Sequence, residues 1–214
     1  MYNTTDLLRT IDSVAGALIA ASDQLNALDA AVGDGDLGVS IAAGCSAVRQ
    51  ALQTPQGPQD AGTILRTCGV AFQRAAPSTM GTLLATALLA AAREVRDKQT
   101  LDASDASAML VVAEAAVRRR GKAVVGDKTM LDALVPATAA LSAGLQDGRS
   151  LREAAGYMTD AAQAGMANTT ALAARIGRAR WLGERSCGHQ DGGATVIVLI
   201  LEGVYASCDT ACSR

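Results

Sequence analysis

Apolar residues recur at three- and four-residue intervals along most of this chain, the spacing of helices that bury one face. Leu7, Leu8, Ile11, Val14, Ala15, Leu18, Ile19 and Leu25 predict a first helix over residues 4–24. Val39, Ile41, Ala42, Cys45, Val48 and Leu52 predict a second from about Gly38 to Gln53. The run Thr54-Pro55-Gln56-Gly57-Pro58 breaks the pattern. Asp60 then stands as the N-cap of a third helix carrying Ile64, Leu65, Cys68 and Phe72. A fourth is expected over 82–96 and a fifth over Ser104–Arg119, its basic end followed by Gly121 in the manner of a C-cap.

Thr129 with Asp132 resembles a capping box opening a sixth helix, which Gly144, Asp147 and Gly148 end. Ser150 with Glu153 opens a seventh in the same way, with Leu151, Ala154, Ala155, Met158, Ala161, Ala162 and Met166 on one stripe. Ala194–Tyr205 is rich in Val and Ile and reads as strand by propensity. A lone strand would have no partner in a helical chain, so the segment is assigned to an eighth helix capped by Asp191. The expected fold is all-α: residues 1–214 as one domain of eight antiparallel helices running up and down.

Composition sharpens this picture. Half the residues are hydrophobic but only 2% are aromatic. Alanine supplies much of the apolar count, and its small side chain favours helices and lets them pack closely. A net charge of −2 gives no reason to expect nucleic acid or a membrane surface as a partner. The N-terminal residues lack the form of a signal peptide, and the longest uncharged apolar run, Gly192–Leu201, is too short to span a bilayer. Cys45, Cys68, Cys187, Cys208 and Cys212 form neither a CxxC pair nor a disulfide framework, which suits buried thiols in a reducing cytoplasm.

Candidate chemistry sits in the breaks between helices. Asp29, Asp34 and Asp36 fall within eight positions, interrupted by Gly33 and Gly35 and followed by Gly38. Three like charges this close repel one another, and a hard divalent cation with oxygen ligands removes that repulsion. An ordinary solvated Asp/Gly turn is the alternative; an EF-hand is disfavoured because no bidentate Glu follows. Pro77-Ser78-Thr79-Met80-Gly81-Thr82 offers hydroxyls and N–H groups at a helix start, which serve either an anion or a plain N-cap. Residues 175–193 lack amphipathic period and hold Arg178, Arg180, Arg185, the sole Trp and the sole His. Arginines here suit phosphate, His189 reads equally as functional or incidental, and Trp181 argues for an ordered segment. In an up-and-down arrangement, the connections after helices one, three, five and seven share one end of the bundle. Asp, Gly, Ser/Thr and Arg would then converge on one metal–phosphate pocket.

The same loops carry a resemblance. Leu28-Asp29 leading to Gly33-Asp34-Gly35-Asp36, then Arg120-Gly121-Lys122, Gly126-Asp127-Lys128-Thr129-Met130-Leu131-Asp132, and Gly177-Arg178-Ala179 through Leu182-Gly183-Glu184-Arg185-Ser186 to Gly188-His189-Gln190-Asp191 follow in order over essentially the whole length. The chain resembles the nucleotide-binding L subunit of dihydroxyacetone kinase, the Dak phosphatase-like domain family. That resemblance implies an eight-helix antiparallel barrel with ADP or ATP and two Mg²⁺ ions at one end. It assigns the metal ligands to Asp29, Asp34 and Asp36. It places nucleotide contacts at Leu37, Gly38, Val39, Ser40, Thr79, Met80, Gly121, Met130, Arg178, Asp191, Gly192 and Gly193. A phosphoryl group would pass to a small ketose or aldose held by a separate sugar-binding K subunit. The donor would be ATP, or a phosphotransferase-system component recharging bound ADP. A nucleotide-sensing module without turnover is the alternative. Two positions depart from the family pattern: Leu37 stands where His is usual, and Pro77–Gly81 replaces a Gly-Gly-Thr/Ala-Ser-Gly loop.

Overall fold

The computed structural model describes residues 1–53 and 59–212, with side chains up to Cys208. The expected break at 54–58 lies outside the described residues. Helices α1 (Thr4–Ala20), α2 (Ser22–Ala30), α3 (Leu37–Gln53), α4 (Ala61–Ala75), α5 (Thr79–Glu94), α6 (Ala103–Gly121), α7 (Leu131–Gln146), α8 (Leu151–Asn168) and α9 (Gly192–Cys212) account for nearly all regular structure described. From α3 onward each helix packs on the next, and α9 closes against α1. With α1 and α2 taken as one bent rod, eight antiparallel rods make a ring, as the all-α expectation has it.

Several starts follow the capping residues read from the sequence. Asp60 accepts the Thr63 N–H at 3.0 Å, Ser78 the Gly81 N–H at 3.0 Å, and Ser150 and Glu153 form a reciprocal box. Asn3 with Asp6 and Asp102 with Asp105 make two more such boxes. Other boundaries differ. The first rod bends at Ala21 and continues to Ala30, so Asp29 ends a helix rather than lying in a loop. The fourth helix starts at Thr79, three residues early, because Ser78 satisfies its first turn. Lys122, at φ 54°, takes the left-handed position expected of Gly121. Only half of the Thr129–Asp132 box forms: Asp132 accepts the Thr129 N–H at 2.7 Å, while the Thr129 hydroxyl accepts from Leu131 rather than Asp132. The expected eighth helix forms and runs on to Cys212. A short antiparallel pair, β1 (Tyr2–Asn3) with β2 (Thr100–Leu101), has no signal in the hydrophobic pattern.

The core is built of small and aliphatic side chains from around the ring, among them Leu25, Ile41, Ile64, Val117, Leu131 and Val196. An apolar cavity of about 360 Å³ remains inside, lined by residues such as Leu18, Phe72, Leu84, Leu134 and Met158. Cys45, Cys68 and Cys208 are buried, and burial pushes the Cys45 and Cys68 thiols up to about 12. Cys187, expected to be buried like them, is exposed on the α8–α9 connection. No described helix is long and apolar enough to cross a membrane.

Neighbouring helices approach to backbone distance at glycines. A Cβ at Gly165 of α8 would stand 2.1 Å from the Asp132 carbonyl oxygen of α7. Gly165→Ala is therefore expected to destabilise the fold by about 1–3 kcal/mol through overpacking, read as a lower urea midpoint at unchanged m-value.

Candidate functional site

The ring's alternation sends the starts of α3, α5, α7 and α9 to one end, and contacts between them show the convergence. A Cβ on Gly192 would lie 2.6 Å from Leu37 Cδ2, at the start of α3. One on Gly193 would lie 2.7 Å from Met80 Cε and 3.4 Å from the Met130 nitrogen, at the starts of α5 and α7. The glycines keep these starts in close contact, and four helix N-termini bring a positive electrostatic end to one place.

The acidic turn faces this end. Asp29, at the end of α2, and Asp34 and Asp36, in the following turn, each place a carboxylate oxygen within 4.8 Å of the others. Gly35 takes φ 76°, a turn that non-glycine residues resist. The Asp29 carboxylate accepts the Asp36 N–H at 3.0 Å, which fixes the turn back onto the helix. Arg178, from the α8–α9 connection, ion-pairs with Asp34. Oxygen-only donors at this spacing fit a hard divalent cation such as Mg²⁺ better than a softer metal.

The expected nucleotide-contact residues fall at this end with different capacities. Leu37 is buried and Thr79 exposed at their helix starts; Met80 is half-buried, Met130 buried. Gly38 turns toward α2, where a Cβ would stand 1.9 Å from the Ser22 carbonyl oxygen, so its glycine is explained by helix packing. The Val39 N–H already donates to Asn26 Oδ1 at 3.2 Å, and the Ser40 N–H to the Asp36 carbonyl, so neither is open to a phosphate. Gly121 ends α6 facing Leu83 of α5. Arg180 stacks on Trp181 at 4.8 Å. Trp181 is 78% exposed, so the segment is ordered as expected but not through burial of this ring. His189 is exposed beside a groove against Gln24, Ala27 and Leu28 of α2.

Lys128, which the hydrophobic pattern gives no reason to single out, links the two ends of the α8–α9 connection. It is 3% exposed, and its ammonium donates to the carbonyls of Thr169 (2.8 Å), Leu172 (3.1 Å), Ser186 (2.9 Å) and His189. Burial lowers its pKa, and Asp191 is among the groups that oppose the shift. Asp132, in the first turn of α7, accepts the N–H groups of Gly126 (2.6 Å) and Thr129 (2.7 Å) from the preceding connection. The Gly126–Asp132 run thus acts mainly as internal scaffolding. The sequence marks this run by the Thr129–Asp132 capping box and by its place in the family resemblance, neither of which shows that Lys128 is buried.

Asp191 caps α9, accepting the Ala194 N–H at 2.7 Å, while its own N–H donates to Thr169 Oγ1 at 3.0 Å. Burial pushes its carboxyl up to about 6, the Ala194 N–H and the Lys128 ammonium pulling the other way and Asp132 adding to the rise.

The DAK2 domain family model matches residues 31–206. The chain is 33% identical over 181 residues to the ADP-binding subunit DhaL of the PEP-dependent dihydroxyacetone kinase of Escherichia coli, covering 85% of this chain and 86% of that one. It is 36% identical over 201 residues to the L-erythrulose kinase of Pectobacterium atrosepticum, covering 90% of this chain but 34% of the kinase. The fold superposes on the dihydroxyacetone kinase of C. freundii in complex with AMP-PNP and Mg²⁺ with a TM-score of 0.71 at 26% identity, over 94% of this chain and 33% of that one. The chain thus spans about a third of the length of the erythrulose kinase and most of the length of the ADP-binding subunit.

One pH dependence follows from Asp191. Its folded-state pKa lies above the unfolded value of 3.8, so between the two the folded protein binds more protons than the unfolded chain. The Asp191 contribution to stability is therefore expected to fall as pH rises from about 4 to about 6, by up to about 3 kcal/mol, and then to level off. Asp191→Asn keeps an oxygen for the cap and should flatten that part of the profile, as read from urea midpoints across the window.

Proposed function

We propose, for a chain that belongs to the DAK2 domain family, that this end of the barrel binds a magnesium–adenine nucleotide and serves phosphoryl transfer to a small ketose or aldose. The observation that carries the reading is the meeting of Asp29, Asp34 and Asp36 with Arg178 where four helix N-termini converge. The similarity to an ADP-binding subunit and to a kinase solved with AMP-PNP and Mg²⁺ supports it.

Asp29, Asp34 and Asp36 would hold Mg²⁺, as two ions in this reading. Held there, the metal would supply positive charge to the phosphates and offset the charge that develops during transfer. Arg178, now paired with Asp34, offers a guanidinium to a phosphate oxygen in a geometry that suits bidentate contact. The starts of α5 and α9 contribute the positive ends of their dipoles. Gly192 and Gly193 let the start of α9 pack closely against Leu37, Met80 and Met130, which would bring its N-terminus up to the ligand. Catalysis in this scheme rests on position and electrostatics, with no covalent step on the chain itself.

The sugar would be held elsewhere. The chain corresponds to a third of the erythrulose kinase, and its likeness along most of an ADP-binding subunit supports a separate sugar-binding K subunit as partner. The donor separates two cases. ATP would exchange at each turnover, whereas a phosphotransferase component would recharge ADP that stays bound through purification, which mass spectrometry of the purified protein distinguishes.

The decisive measurement is titration calorimetry with ADP in the presence and absence of Mg²⁺. Asp34→Asn is expected to weaken Mg²⁺-dependent ADP binding by about 100-fold or more, since even second-sphere partners of a metal are worth about 10–100-fold. Full affinity in that variant would overturn the reading.

A further inference from the structure

Lys128 is left unexplained by phosphate or metal binding. Its backbone takes the left-handed conformation, φ 62°, which a lysine adopts at a cost. Its side chain is buried, and its ammonium is met by four backbone carbonyl oxygens. Thr169 and Leu172 stand where the chain leaves α8; Ser186 and His189 stand just before α9. One ammonium therefore closes the neck of a long excursion whose outer part carries Arg178, Arg180 and Trp181.

Neighbouring bonds tighten the same neck. The Gly188 N–H donates to the Thr170 carbonyl at 2.8 Å, and the Ala174 N–H to Ser186 Oγ at 2.8 Å. The Arg175 N–H donates to the Asp127 carbonyl at 3.1 Å, next to Lys128 in sequence. A ring of backbone carbonyls around a positive charge is the arrangement by which proteins replace the hydration shell of a bare monovalent cation. Here the cation is tethered to the chain by a side chain.

We propose that Lys128 is a positioning residue of the site, a built-in cation that clamps the neck of the 169–189 excursion and thereby sets Arg178, Asp191 and the start of α9 against the acidic turn. The inference rests on the reading of that end as a magnesium–nucleotide site. Lys128 does not itself touch the acidic turn. It acts through the segment that does, by way of the Arg178–Asp34 pair and the Asp191 cap.

The test uses Trp181, the sole Trp, which lies on the excursion and reports its motion directly. Lys128→Ala leaves the four carbonyls with room for a small cation. Lys128→Met fills the space without a donor. In Lys128→Ala, with helical circular dichroism retained, Trp181 anisotropy should fall. Mg²⁺-dependent ADP affinity should drop at least about tenfold, the lower range for outer-sphere partners. Binding of Mn²⁺ alone should stay unchanged or tighten, because Asp29, Asp34 and Asp36 are not on the excursion and a loosened Arg178 competes less for Asp34. Ethylammonium or potassium should restore anisotropy and ADP affinity in Lys128→Ala but not in Lys128→Met. Unchanged anisotropy and ADP affinity in Lys128→Ala would overturn the proposal. So would an equal loss of Mn²⁺ and ADP binding that no cation restores, since Lys128 would then hold up the whole fold. If the wild-type protein itself bound no Mg²⁺–ADP, the nucleotide reading would fail, while Trp181 anisotropy and its recovery by ethylammonium would still decide the clamp.

Discussion

A closed ring of antiparallel helices has a built-in polarity. Every second helix must start at the same end, so an even number of rods places half of the N-termini together. The starts of α3, α5, α7 and α9 meet for this reason, and no single loop has to be long to reach the others. The bend at Ala21 leaves this parity intact, because α1 and α2 still run as one rod. The acidic turn, the hydroxyl-capped start of α5 and the Arg178 segment are functional neighbours because the ring closes, although they are far apart in the chain.

Local rules were legible wherever the sequence encodes local physics. Asp60, Ser78, Ser150 with Glu153, and Asp191 could be picked out as caps because a short polar side chain two or three residues ahead of an apolar run has few other uses. Asp29, Asp34 and Asp36 stood out because their mutual repulsion is visible in the spacing itself. Even the misleading Val/Ile-rich segment at Ala194–Tyr205 resolved correctly, because a helical chain offers a single strand no partner. Helix ends were less legible. Ala21 bends a helix without any Gly or Pro to announce it, and Asp29 consequently belongs to a helix rather than a loop.

The remainder depended on contacts between distant segments. Trp181 marks the 175–193 segment as ordered, yet its ring is exposed, and the bonds that tie the segment's ends come from Lys128. A lysine in a short charged turn reads as a solvated cation; its burial is set by carbonyls about forty to sixty residues away, and nothing in periodicity or propensity points to them. Gly38 likewise read as a phosphate-side glycine, while α2 passing behind it is the reason for its size. The same sequence runs thus combine contacts to a ligand with contacts that hold the frame, and only the fold separates the two.

The alanine content has a mechanical consequence. Small side chains draw adjacent helices together around the ring, but they do not reach far enough to fill its middle, where an apolar cavity of about 360 Å³ persists. Unfolding eliminates such internal voids, and the volume change of unfolding scales with them. A barrel built this way yields more volume to the solvent when it opens than a bundle packed solid with larger side chains. Hydrostatic pressure therefore acts on this fold in proportion to the part of the cavity that stays free of water.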